Sequence, residues 1–195
     1  MLQDEYYVLE SNKDACSFSW DQDRDQFGLG KPVNVTGPVK IRLGEPIADK
    51  PKLVDLHEMP APVISKRIYD VLEPIDIYGI QLIPAKVRNP NSGPLDEPYD
   101  YWFLHVWNRI HCLDTDNSEL EYSRSGNTIF GIEKLVLDDK KLKFFELHKR
   151  KVFELAENTS TLLVHQSIKD IIVSVKPIGC RFYKATEWTS DSSFD

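Results

Sequence analysis

Val63-Ile64-Ser65-Lys66-Arg67-Ile68-Tyr69-Asp70-Val71-Leu72-Glu73-Pro74-Ile75-Asp76-Ile77-Tyr78-Gly79-Ile80-Gln81-Leu82-Ile83 contains the change of period on which the fold turns. Ile64, Ile68, Val71, Leu72 and Ile75 fall at i, i+4, i+7, i+8 and i+11, the spacing of an apolar stripe along one helix face. Pro74 is expected to close the helix, because its ring cannot continue the hydrogen-bond ladder. After Gly79, the run Ile80-Gln81-Leu82-Ile83 reads as a buried strand.

One hundred residues on, the same punctuation returns. Val164, Ile168, Ile171, Ile172 and Val175 repeat the stripe, and Gly179 opens the strand Cys180-Arg181-Phe182-Tyr183. Aligned without gaps, residues 63 to 85 and 163 to 185 place Ile68, Asp70, Gly79 and Ala85 opposite Ile168, Asp170, Gly179 and Ala185. Two readings stand: unrelated helix-Gly-strand units made alike by burial, or an internal duplication giving two related lobes. In either, each Gly is expected to supply a turn with φ > 0.

Between the units, Tyr99 to Leu113 is aromatic and branched enough for one long strand or a central pair. Alternation puts Tyr101, Phe103, His105, Trp107, Arg109 and His111 on one face, and Trp102, Leu104, Val106, Asn108 and Ile110 on the other, which is the expected core side. Further strands are expected at Tyr6 to Leu9, Thr128 to Ile132, Lys134 to Leu137, Lys151 to Leu155 and Thr161 to Val164, with a short extended segment at Leu53 to Leu56. The predicted class is α+β with a mainly antiparallel sheet. Residues 1–52 read as a strand-and-loop region punctuated by Gly28, Gly30, Pro32, Gly37 and Pro38, residues 53–185 as the α+β domain, and residues 186–195 as a polar tail. Pro90, Gly93, Pro94 and Pro98 mark a long exposed loop.

A chain of 195 residues, 41% hydrophobic, can bury a core of its own. Its net charge of -7 argues against a nucleic-acid binder, since phosphate contacts need clustered Lys and Arg. The opening Met1-Leu2-Gln3-Asp4-Glu5 carries acids where a secretion signal would carry positive charge, and no apolar run reaches a membrane-spanning length, so a cytoplasmic protein is expected. Cys16, Cys112 and Cys180, odd in number and far apart, suit a reducing compartment.

No motif points to a cofactor, metal or catalytic residue. Gly28-Leu29-Gly30-Lys31 lacks a phosphate loop's first glycine, Asp25 standing there, and has Pro32 in place of the Ser or Thr. His105 and His111 would stand about 20 Å apart on a straight strand, too far to share an ion. Ser123-Arg124-Ser125-Gly126-Asn127 reads as a turn, and Asp138-Asp139-Lys140-Lys141 as a polar hairpin turn. Charge is uneven: from 96 to 121, Asp96, Glu97, Asp100, Asp114, Asp116, Glu119 and Glu121 face Arg109 alone, whereas 134 to 151 holds seven basic residues against Asp138, Asp139 and Glu146. These runs are either solvated faces or opposite poles. As a pole, the acids together with Tyr99 and Tyr101 are candidate partner-binding residues, suited to steered capture of a basic surface.

Several segments are also similar, in order and spacing, to a known family: Leu-His-Glu-Met-Pro-Ala-Pro-Val-Ile-Ser at 56 to 65, Ile77-Tyr78-Gly79-Ile80-Gln81-Leu82-Ile83-Pro84, Tyr101 to Asp114 with Asn108, the later Ser118, Ile132 to Asp138, Val152-Phe153-Glu154-Leu155, and Ile178-Gly179-Cys180-Arg181-Phe182. Over residues 53 to 185 the chain resembles the immunity protein family numbered eleven of bacterial polymorphic toxin systems. The resemblance implies a cytoplasmic bacterial antidote that binds and occludes a cognate toxin of interbacterial competition, such as one delivered by polymorphic or type VI secretion systems. It carries over no catalytic residue and leaves homo-oligomerisation open. Two other readings remain: an adaptor or chaperone for a secreted effector, and an enzyme with an unrecognised site at His105, Trp107 and Arg109.

Overall fold

The structure, a computed structural model, describes residues 1–93, 95–126 and 128–192. Pro94 of the expected loop, Asn127 of the expected turn and the last three residues of the expected tail lie outside the described residues. In chain order the elements are β1 (Tyr6–Ser11), β2 (Phe18–Trp20), β3 (Val39–Leu43), β4 (Leu56–His57), β5 (Val63–Ile64), α1 (Lys66–Leu72), β6 (Ile80–Arg88), β7 (Tyr99–Val106), β8 (Arg109–Ile110), β9 (Glu119–Tyr122), β10 (Ile129–Lys134), α2 (Asp139–Lys143), β11 (Val152–Leu155), β12 (Asn158–His165), α3 (Gln166–Ser174) and β13 (Cys180–Lys184). They form a five-stranded sheet ordered β13-β1-β12-β11-β8, a six-stranded sheet ordered β2-β3-β6-β7-β5-β4, and the ribbon β9-β10. Only β3–β6 and β8–β11 pair in parallel among the described residues, so the fold is α+β and mostly antiparallel.

The repeat seen in the sequence extends to topology. The orders β6-β7-β5-β4 and β13-β1-β12-β11 correspond strand for strand, each antiparallel throughout. In each unit a hairpin leads into a helix, and the returning strand lands one position away, leaving a slot for a middle strand. The first unit fills its slot with β7, which follows it in the chain. The second fills it with β1, from the other end of the chain, so the first fifty-two residues are woven into both sheets: β1 enters one, β2 and β3 extend the other.

Gly79 and Gly179 sit at φ 88° and 82°. The Gly79 carbonyl accepts the Trp107 and Asn108 N–H groups at 2.8 and 3.1 Å, and that of Gly179 accepts Asn12 N–H at 2.8 Å, in each case just past the middle strand. The two helices meet in one core, where Ile68 and Leu72 pack with Ile168, Ile172, Leu104, Val106 and Val164. Neither lobe therefore buries its helix alone.

Several expectations need correction. Both helices are shorter than their stripes, because Ile64 and Val164 lie within strands and reach the helix core from extended backbone. Tyr99 to Leu113 is neither one strand nor a neighbouring pair: β7 stops at Val106, and β8 joins the other sheet beside β11. Nor has β7 a single core face. Tyr101 and Phe103 enter a cluster with Ile41 and Val87, while Leu104 and Val106 face the helices, so the strand is covered on both sides. Asp138 caps a helix instead of making a hairpin turn, its carboxylate accepting the Lys140 and Lys141 N–H groups. Lys134 ends β10, and Leu137 makes only an isolated bridge to Leu113. Within the segment read as a polar tail, Trp188 is buried and donates to Glu10 at 2.6 Å. No helix among the described residues is long and apolar enough to cross a membrane.

Candidate interaction surface

Where β7 leaves one sheet and β8 enters the other, a cleft of about 720 Å³ opens, lined by Trp20, Phe27, Pro62, His105, Arg109 and Glu154 among others. Three of its polar side chains, His105, Arg109 and Glu154, are held from within. His105 is 2% exposed and donates from Nε2 to the Lys31 carbonyl at 3.0 Å, and burial lowers its pKa, so the ring is a neutral donor. Arg109 donates to Glu154 at 2.9 Å and to the Gly28 carbonyl at 3.1 Å. Burial raises the Glu154 carboxyl's pKa, and Arg109 counteracts the rise. Gly30, at φ 59°, lies against the same guanidinium, where an added Cβ would stand 3.1 Å from Nη1. The glycine-rich stretch is thus a turn wrapped over Arg109. Trp107 leaves this face and packs edge-on to Tyr78 at 5.0 Å, so His105, Trp107 and Arg109 do not converge. His111 lies at the surface, 3.4 Å from Glu157. Among the described residues no group of three or more His, Cys, Asp or Glu is placed to hold a metal ion.

The acidic candidates fall into two groups. Asp96, Glu97, Tyr99 and Asp100 occupy the β6–β7 hairpin end, where Asp96 accepts Gly93 N–H at 2.8 Å and Asp100 pairs with Lys86 at 2.5 Å. Tyr99 is exposed. Tyr101 is not: at 7% exposure, with its hydroxyl donating to the Val54 carbonyl at 2.9 Å, it is a core residue, because the second sheet face is also covered. Asp114, Asp116, Glu119 and Glu121 follow the far end of β7, across about 23 Å of strand at roughly 3.3 Å per residue. There the Asp114 carboxylate accepts the Asn117 side-chain amide and the backbone N–H groups of Asn117 and Asp116, which lower its pKa. The structure does not bring the two groups together.

A different surface stands out, one that sequence reasoning missed. Between α2 and β11, residues 143 to 149 are all exposed, Phe144 at 86%, with Phe145 and Leu147 beside it. Their backbone is nonetheless pinned. Arg150, buried beneath them, donates from Nε to the Phe145 carbonyl at 3.0 Å and from Nη1 to the Tyr6 hydroxyl. Asn108 donates to the carbonyls of Lys149 and Val152 at 2.8 and 3.0 Å. His148 contacts Tyr78, and Tyr78 contacts Trp107, which carries the aromatic surface across to the Gly79 turn. The available signal was the Phe144-Phe145 pair inside a basic run, matching neither a helical nor a strand period.

No curated protein matches the chain. The model of the immunity protein family Imm11 matches residues 6–187, beginning at the first residue of β1 and ending just past β13, and so takes in both four-stranded units. A match over nearly the whole length shows the family: this chain belongs to the immunity protein family Imm11.

Proposed function

We propose that the protein is the cytoplasmic antidote to a bacterial toxin, which it binds and blocks by covering the toxin's active site or substrate path. The observation that carries this reading is the family match across residues 6–187. The cleft is consistent with it, since His105 and Arg109 donate to loop carbonyls of the same chain and Glu154 accepts from Arg109. Blocking by occlusion needs only a surface of ordinary interface size, roughly 800 Å² per partner, with a few buried anchors. The carboxylates at Asp96, Glu97 and Asp100, and at Asp114, Asp116, Glu119 and Glu121, are the competing contact candidates, suited to a toxin whose docking face is basic.

The test is co-expression with the toxin domain encoded beside this gene. The toxin alone should stop growth, the pair should grow, and the two proteins should co-purify as a stable complex. A neighbour that is harmless alone, or equally lethal with this protein present, would refute the reading.

A further inference from the structure

We propose that the ridge formed by Phe144, Phe145 and Leu147, continued by His148 and Tyr78, is the surface that grips the toxin, with Phe144 entering an apolar socket rimmed by carboxylates. The proposal rests on the immunity reading above and specifies its contact.

Single exposed apolar side chains are ordinary, but here the exposed set is adjacent in the chain and joined through ring contacts to Tyr78 and Trp107. A protein that keeps Phe144 in water spends solubility on it, which is expected where a partner covers the ring. The ridge is also rigid. The buried guanidinium of Arg150 and the amide of Asn108 fix its carbonyls, so little backbone entropy is left to lose on docking. Large aromatics held in place and surrounded by charge are the usual centres of tight interfaces.

Charge identifies the partner's chemistry. Lys140, Lys143 and Lys149 are exposed and make no ion pair among the described residues. Two acids of the same segment point inward: Asp138 caps α2, and Asp139 accepts the N–H groups of Leu2 and Gln3 at 3.2 and 3.1 Å. Glu146, paired with His148 at 3.2 Å, is the one acid within residues 140–149. Residues 140–149 are therefore net basic on a chain whose net charge is -7. An acidic face on the toxin complements it, and the lysines would orient the approach before Phe144 docks.

Binding of the purified toxin domain to wild type, Phe144→Ala, Lys143→Glu with Lys149→Glu, and Asp116→Lys with Glu119→Lys tests this, with protection scored in cells. Phe144→Ala should weaken binding about 30-fold or more, the size of an interface anchor, with an unchanged melting curve. The lysine reversals should slow association and flatten its salt dependence. Wild-type binding by both ridge variants would overturn the proposal and leave the immunity reading intact, as would loss of binding confined to the Asp116 and Glu119 variant. A wild-type dimer that Phe144→Ala dissolves without weakening toxin binding would likewise overturn it, assigning the ridge to a second copy. Failure of wild type itself to bind or protect would remove the immunity reading and this proposal together.

Discussion

Replacing His57 by Gln should remove a large part of the protein's acid sensitivity. The imidazole is 2% exposed and stacked on Phe18 at 3.9 Å, with Tyr101 at its edge. Its Nδ1–H donates to the Cys16 carbonyl at 2.9 Å, and Nε2 accepts Val54 N–H at 3.1 Å. Both nitrogens are thus satisfied in the neutral ring, and burial pushes the pKa from 6.5 down to about 4. Above pH 6.5 neither the folded nor the unfolded form carries the proton. As pH falls below that value the unfolded chain binds a proton that the folded protein refuses, so stability drops until about pH 4 and the loss then levels off. At about 1.4 kcal/mol per pH unit the loss amounts to about 3 kcal/mol, a large share of a typical net stability. Glu10 and Glu154, whose pKa values burial raises, act in the opposite sense, favouring the folded state as pH falls. They are common to both proteins, so the difference between wild type and His57→Gln isolates the imidazole. Urea unfolding at intervals from pH 7 to pH 4 should show the two stability curves converging in acid. Parallel curves would refute the argument, as would an NMR titration placing the His57 ring near 6.5 in the folded wild-type protein.

The two glycine turns offer a steric test with an internal control. Gly79 and Gly37 share nearly the same φ, 88° and 87°, but a Cβ on Gly79 would stand 2.1 Å from the Asn108 Cβ, whereas on Gly37 it would meet nothing within 4 Å. Gly37→Ala should cost about 1 kcal/mol of backbone strain, and Gly79→Ala clearly more than about 2 kcal/mol, measured by chemical denaturation. Equal costs would mean that the Asn108 contact yields freely. In the cleft, Arg109→Met strips Glu154 of its cation and should destabilise by about 2 kcal/mol, while adding Glu154→Leu should restore most of the loss. Additive losses in the double variant would argue against the coupling.

Local period made the two helix-Gly-strand units, the α+β class and the glycine turns legible in the sequence, because burial on one side imposes a repeat of about 3.6 or 2 residues wherever it acts. The order and spacing of its segments likewise carried the resemblance to the immunity family. What stayed hidden is set by contacts between distant residues. The partner of each strand depends on hydrogen bonds to a chain segment that no local pattern names, so the insertion of β1 between β12 and β13 could not be read from Tyr6 to Leu9. Tyr101 looked like an outward aromatic because alternation assigns faces without saying that both are covered. Phe144 is exposed because Arg150 and Asn108, themselves held by Tyr6 and by the end of the β7–β8 turn, tie the neighbouring backbone to the body of the protein. Periodicity records which side chains share a face; only tertiary packing decides which faces find a cover.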